Sequence, residues 1–521
     1  MLSELLLAHL SRLQSPQPPH RAAKGAPLPL NRQLYTALRE AMLHGHLSAG
    51  ERLPSSRDLA QDLGLSRNTV LAAIGQLTVE GYLVSQVGSG TFVADSVPLV
   101  GASQRNSNGL TSGNPSAGGA GPGWPAAPWH TPPATRTLSP RGEALAHQST
   151  ANTLEVQPFT PGPADFSAFP VALWQRLQNK HWRATRPDML DYNGSGGHGP
   201  LRRAVADYVR VFRSVHLDPE QVIITSGTQQ SLQLCAHLLA DHGDTVWMED
   251  PAYWGAIKAF VAAGLTLRAV AVDAEGIHPQ PADHEHPPHL VYVTPSHQYP
   301  SGAVMSLARR QALLEAARRH NAWVLEDDYD SEFRFSGPPM SSLQGLDVDG
   351  RVLYMGTFSK VLYPGLKLGY LVVPKALVAD FKQAHYDLNR PGQMPLQAAL
   401  AEFIEMGHFA SALRRARQAY AERRNALVHA LHPVLGQPDG PWLAGAEQGL
   451  HLCLRLPEHT DDVALAAAAR AHHLTVRPLS AYCQTRRDMR GLVIGYGYAP
   501  LAAIHRHGPV LAKVIGQVVV P

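Results

Sequence analysis

Tyr354-Met355-Gly356-Thr357-Phe358-Ser359-Lys360 is the stretch on which the reading of this chain turns. The apolar run Val352-Leu353-Tyr354 enters it as a strand would, and a lysine follows the strand end among small and hydroxylated residues. Such a lysine is suited to form a Schiff base with an aldehyde. Burial and neighbouring polarity lower its pKa, and the hydroxyls of Thr357 and Ser359 can hold a phosphate. Taken alone, the same residues also describe a surface lysine after a strand, so the surrounding sequence has to decide.

Upstream, Ala322-Trp323-Val324-Leu325 reads as a buried strand ending in Glu326-Asp327-Asp328-Tyr329. Asp327 can pair with the ring nitrogen of a pyridine cofactor and keep it protonated as an electron sink, while Tyr329 offers a phenol to a ring hydroxyl. Further upstream, the strand-like run at 221–225 leads into Ser226-Gly227-Thr228-Gln229 and a helix. A strand, a glycine turn and a helix start leave backbone N–H groups free to bind an anion. After the run Val246-Trp247-Met248, Tyr253 stands beyond a strand end, able to stack on a ring. Each station has an ordinary alternative (loop acids, a helix start, core packing), and the case rests on their combination. Pyridoxal phosphate (PLP) is the cofactor whose chemistry uses all four.

The chain of 521 residues is long enough for several domains, and 44% hydrophobic against 17% charged residues can bury large cores. The net charge of +3 announces no nucleic-acid partner, so a DNA-binding reading has to rest on pattern. Cys235, Cys453 and Cys483 are scattered and odd in number, which predicts neither a disulfide framework nor a metal site and fits a reducing cytoplasm. The apolar start is broken by Glu4 and has no basic lead, which disfavours a signal peptide, and no apolar run is long enough for a bilayer. Four textures divide the chain: an N-terminal extension (1–30), short helical patterns with one glycine-marked hairpin (31–95), a Gly/Pro/Ser/Asn-rich flexible linker (96–155), and an α/β domain with a largely parallel sheet (156–521).

Within 31–95, Leu34, Leu38 and Met42 share one face of a helix read over 31–46. Either Ser55 or Ser56 can cap the next helix, which Gly64 ends, and Ser66 can cap a third carrying Val70, Ile74 and Leu77 inward. Two short helices on a tight turn make a helix-turn-helix, with Arg67, Asn68 and Thr69 at the start of the second helix, where base edges are met. Runs at 82–84 and 91–93 flank Gly88-Ser89-Gly90 as a hairpin wing. A small α/β subdomain without DNA binding is the alternative that this shape leaves open.

The stretches Gly50-Glu51-Arg52-Leu53-Pro54-Ser55-Ser56-Arg57, Leu65-Ser66-Arg67-Asn68-Thr69-Val70 and Gly88-Ser89-Gly90-Thr91-Phe92-Val93 resemble a GntR-type winged helix. From Phe159 onward the chain resembles a class I aminotransferase domain of fold type I, including Tyr192-Asn193-Gly194-Ser195-Gly196-Gly197-His198-Gly199-Pro200 and Thr294-Pro295-Ser296-His297-Gln298-Tyr299-Pro300-Ser301-Gly302. Together they resemble the MocR (GabR-like) regulators. The resemblance implies that Lys360 carries PLP as a Schiff base, that Asp327 meets the pyridinium nitrogen, Tyr329 the ring hydroxyl and Tyr253 the ring face, and that Gly227, Thr228, Thr357, Ser359 and Lys367 surround the phosphate. It implies Arg52, Ser56, Arg57, Arg67, Thr69 and Gly88 as contacts to a double-stranded operator, and a head-to-tail homodimer.

Four departures bear on activity. Lys367 stands where the family usually has arginine, and Tyr299 where aminotransferases have asparagine. The stretch 491–496 lacks the late arginine that clamps a substrate carboxylate, with Arg477 or Arg490 as possible substitutes, and Gly255 supplies no guanidinium, which argues against GABA as ligand. These features imply a PLP-dependent regulator whose effector is PLP or a PLP adduct with a small amino compound, forming Schiff bases but turning over poorly. An active aminotransferase with an appended DNA-binding domain is the alternative, and a PLP-free inert domain is a third reading.

Overall fold

The computed structural model describes residues 2, 4, 6, 7, 29–95, 138–147 and 157–519, apart from 87, 168, 337–339 and 436–440. Most of the stretch read as linker therefore lies outside the described residues. The chain divides into two compact units, Met1–Pro132 and Pro133–Pro521.

The N-terminal unit includes the helices α1 (Leu30–Leu43), α2 (Ser56–Leu63) and α3 (Arg67–Val79), and a hairpin of β1 (Leu83–Gln86) and β2 (Gly90–Val93). Leu34, Leu38, Met42, Leu59, Leu63, Val70, Ile74 and Leu77 meet in one core. Leu6 is fully buried in the same core, so the N-terminal extension contributes to a domain that the sequence pattern starts only at residue 31. Of the two serines, Ser55 is the cap: its Oγ accepts from the Asp58 backbone N–H, and Ser56 is the first helical residue. Ser66 caps α3 through the Thr69 N–H. Gly64 ends α2 at φ 62°, the left-handed position that glycine takes without cost. The chain before α2 also joins the hairpin, since Leu53 N–H donates to Thr91 O and Val93 N–H to Glu51 O.

In the C-terminal unit, eight strands form one sheet in the order β3-β10-β9-β8-β7-β4-β5-β6. They are β3 (Val222–Thr225), β4 (Thr245–Asp250), β5 (Thr266–Asp273), β6 (Gly276–Ile277), β7 (Leu290–Val293), β8 (Trp323–Asp328), β9 (Val352–Thr357) and β10 (Gly369–Val372). Strands β9, β8, β7, β4 and β5 run parallel. The expected largely parallel sheet is thus a mixed one, because β10 is antiparallel to both β3 and β9, and β6 to β5. Strands β3 and β7 are buried at every residue, as strands covered on both faces must be. A second, four-stranded antiparallel sheet has the order β11-β12-β14-β13, with β11 (Trp442–Ala444), β12 (His451–Leu456), β13 (Arg477–Pro478) and β14 (Arg490–Gly495). Pro140–His147, inside the stretch read as linker, is a helix; its Leu145 carbonyl accepts from Lys258 Nζ at 2.8 Å.

Candidate functional site

The carboxyl ends of the parallel strands are where ligands bind in open α/β sheets. Here they surround a cavity of about 310 Å³. Gly227, Thr228, Tyr253, Asp327, Tyr329, Thr357, Ser359, Lys360 and Lys367 all line it. They come from the ends of β3, β4, β8, β9 and the turn before β10, which explains how residues over a hundred positions apart share one wall.

Asp327 and Asp328 are adjacent but serve opposite faces of β8, as strand alternation requires. Asp328 turns away from the cavity, pairing with the buried Arg213 (Nε–Oδ2 2.7 Å) and with the Tyr354 hydroxyl. Asp327 turns into it. Tyr292 Oη donates to Asp327 Oδ2 at 2.9 Å, while Oδ1 is buried without a partner. Burial pushes the Asp327 carboxyl up to about 7. A buried acceptor left unpaired is costly, and a cationic ring N–H at this position would remove the cost. The residues therefore fit a pyridinium cofactor.

Lys360 Nζ donates to the Gly162 carbonyl at 2.6 Å. Burial lowers its pKa, opposed by the charges of Asp330 and Asp327. An amine that loses its proton more easily is a better nucleophile toward an aldehyde. Gly227 (φ 106°) is the N-cap of the helix Thr228–Leu239, whose first-turn N–H groups open on the cavity beside Thr228. The Thr357 hydroxyl accepts from the Ser359 backbone N–H at 3.1 Å, and both residues line the cavity. Lys367 sits at φ 52°, a left-handed conformation that aims the chain back toward the cavity mouth. Tyr253, raised to about 12 by burial, packs edge-to-face on Tyr299 with ring centroids 5.8 Å apart.

The arginines considered as substitute clamps do not line the cavity. Arg477 pairs in register with Val493 of the 491–496 stretch and lies beside Tyr482, whose hydroxyl is 3.1 Å from that of Tyr299. Arg490 opposes Leu456 at the start of β14. Among the described residues lining the cavity, the lysines and His451 are the basic groups, and burial pushes His451 down to about 3, which leaves it neutral. At Gly255 a Cβ would stand 2.5 Å from the Tyr253 ring, so the aromatic fills the space that a side chain there would take. Sequence reading missed Tyr292, Asp330, His451 and Gly162 as cavity residues. Asp330 was signalled only by its place after Tyr329, and Tyr292 was hidden in an apolar strand.

On the N-terminal unit, Arg52, Arg57, Arg67 and Gly88 are exposed. Arg67 Nε lies 3.5 Å from Ser56 Oγ, which joins the starts of α2 and α3. Thr69 shares its hydroxyl with the Ser66 cap at 2.8 Å. Arg52 bridges Phe92 of the wing and lies against Gly90, where a Cβ would come within 2.9 Å of its Nε.

Residues 30–93 match the family of bacterial regulatory proteins of the gntR type, and residues 166–490 match aminotransferase class I and II. A probable rhizopine catabolism regulatory protein, MocR, of Rhizobium meliloti is 40% identical, with 91% of each chain covered. The chain belongs to the MocR family. It is a DNA-binding transcription regulator whose larger domain is of the PLP-dependent aminotransferase type. Another MocR-type relative, the pyridoxine biosynthesis regulator PdxR of Corynebacterium glutamicum, is 29% identical, with 90% of this chain and 92% of its own covered. Among solved structures, the α-aminoadipate aminotransferase LysN of Thermus thermophilus matches at TM-score 0.62 and 27% identity, covering 70% of this chain and 92% of its own. Among the described residues no helix is long and apolar enough to cross a membrane.

Proposed function

We propose that this MocR-type regulator senses a small amino compound, or PLP itself, in the cavity and converts the occupancy into a change in operator affinity. The carrying observation is the unpaired, buried Asp327 Oδ1 near Lys360, in a cavity whose lining among the described residues includes no arginine. When bound, PLP supplies an aldehyde for amines and a ring that withdraws electrons. Asp327 accepts from its ring nitrogen, Tyr329 meets its ring hydroxyl and Tyr253 covers its face. Gly227, Thr228, Thr357 and Ser359 surround its phosphate, with Lys367 contributing a point charge in place of a guanidinium fork.

With no guanidinium on the cavity wall, a substrate carboxylate is not held. An amine can then be captured without being oriented for proton transfer, which favours sensing over turnover. One relative is named for pyridoxine biosynthesis and another for catabolism of rhizopine, which agrees with PLP or an amine as the signal. Whichever ligand acts must bind one arrangement of the protein more tightly than another. Arg52, Ser56, Arg57, Arg67, Thr69 and Gly88 contact the operator, and a head-to-tail homodimer in the cytoplasm presents two such surfaces to paired half-sites.

The test is an absorbance titration of PLP-loaded protein with amines and amino acids, run beside operator binding at fixed salt. We expect one compound class to shift the visible band and the operator affinity together, with no keto acid released. Steady keto acid formation from an amino donor would overturn the sensor reading. A band that no compound moves, with affinity following PLP concentration, selects PLP itself as the signal.

A further inference from the structure

Beside Tyr329 lies a buried pair, His297 and Asp330, whose acid lines the cavity and whose histidine the cofactor reading does not use. His297 Nδ1 is 3.0 Å from Asp330 Oδ2 and 3.1 Å from Oδ1, and both side chains are about 1% exposed. The same Nδ1 is 3.1 Å from the Tyr329 hydroxyl oxygen. The pair is closely built. Gly449 packs on it at φ 85°, where a Cβ would come within 2.0 Å of His297 Cε1 and 2.8 Å of Asp330 Oδ2. The other ring nitrogen, Nε2, is buried without a partner.

These contacts fix the tautomer. A carboxylate oxygen accepts from a ring N–H, and Nδ1, within reach of both Asp330 oxygens, carries the proton of that bond. A protonated Nδ1 has no lone pair to offer, so Tyr329 cannot donate to it and its oxygen can only accept there. The phenol proton is left to point elsewhere, and Tyr329 lines the cavity. We propose that the His297–Asp330 pair is a positioning device that holds the Tyr329 hydroxyl as a donor aimed into the cavity, toward the ring oxygen of the cofactor. Without the carboxylate, the imidazole is free to take the other tautomer. Nδ1 then accepts from Tyr329 and draws its proton out of the cavity. This inference rests on the proposed role of Tyr329.

The test is a double-mutant cycle on PLP affinity, read from the absorbance of apoprotein titrated with PLP. His297→Phe keeps the ring shape and removes both nitrogens, while His297→Asn keeps an N–H donor near the place of Nδ1. We expect His297→Phe to weaken PLP about tenfold, the scale of one lost hydrogen bond to an ionised group. His297→Asn should bind near the wild-type affinity, and Asp330→Asn, which frees the imidazole to draw the phenol proton away, should weaken PLP at least as much as His297→Phe. In a Tyr329→Phe background, His297→Phe should cost nothing more. Full additivity of His297→Phe and Tyr329→Phe would overturn the proposal, since the pair would then act other than through the phenol. If Tyr329→Phe alone leaves PLP affinity unchanged, the role of Tyr329 fails, and the proposal with it. Should His297→Phe not fold, Asp330→Asn takes its place in the cycle with the same criterion.

Discussion

The cavity of the aminotransferase-type domain and the DNA-facing side of the winged helix use charge in opposite ways. In the cavity, Asp327 and Lys360 are withdrawn from water, and burial has pushed both away from their ordinary pKa values. On the winged helix, Arg52, Arg57 and Arg67 are exposed. A buried polar group is defined by the few groups around it, so geometry alone indicates what Asp327 Oδ1 calls for: a hydrogen-bond donor. An exposed arginine is compatible with many partners, and what singles it out is the shape on which it is mounted. Substitutions in the cavity should therefore produce specific, all-or-none losses, while those on the winged helix should produce graded, salt-sensitive ones.

The largest effect is expected at Lys360. Lys360→Ala should replace the Schiff-base band of the PLP-loaded protein with the absorbance of the free aldehyde and remove every effect of PLP on operator affinity, while leaving DNA binding itself intact. Absorbance spectra and operator titrations with and without PLP check this. A variant whose operator affinity still responds to PLP would separate the sensing site from Lys360. Next comes Asp327→Ala, which takes away the acceptor for the ring nitrogen. PLP affinity should fall about a hundredfold, because a charge-assisted bond in a buried site is lost. Asp328→Ala offers the contrast. Its partners are Arg213 and Tyr354, so it should lower thermal stability more than PLP affinity.

On the winged helix, Arg67→Ala should weaken operator binding by about tenfold and relax sequence preference if the side chain reads a base edge. Arg52→Ala, in the segment that bridges to the wing, should weaken all sequences alike and reduce the salt slope by about one. Binding measured at several salt concentrations on operator and random DNA separates the two. Equal loss on both DNAs for Arg67→Ala would move that residue into the backbone-contact class.

Much of the cavity was legible in sequence because its stations fall at strand ends. Asp327 and Thr357 stand at the ends of apolar runs, with Tyr329 and Ser359 just beyond them, so the run ends already mark the cavity wall. The apolar runs gave the strands, but not their directions. Gly369–Val372 reads like its parallel neighbours, and its antiparallel course follows from how the chain returns after Lys360. The short strands around Arg477 carry too little pattern to be seen at all. His451 and Tyr292 were invisible for a different reason. Tyr292 sits in an apolar strand and His451 at the start of β12, and only tertiary packing brings them to the cavity. The two serines before α2 were undecidable in sequence, because both are good caps and only backbone geometry selects Ser55.

The smallest effect concerns pH and the empty cavity. The Asp327 carboxyl is raised from an ordinary 3.8 to about 7, so the folded apoprotein holds this proton where the unfolded chain has released it. The folded state then binds more protons than the unfolded state between these two values, and its stability must fall with rising pH across that window. Below the lower value there is no penalty, and above about 7 the penalty is complete and constant. Asp327→Asn cannot ionise and escapes it. Glu249 and Glu332, also raised to about 7 by burial, titrate over the same range, and Glu249 feels the Asp327 charge, so the difference between variant and wild type reports Asp327 together with its effect on Glu249. The apoprotein of Asp327→Asn should gain about 3 °C in Tm over wild type between pH 4.5 and 7.5, with no further gain above. PLP should close the gap by giving the wild-type carboxylate its cation. A gap independent of pH would mean that Asp327 is already ionised at pH 4.5 and that another group meets its free oxygen.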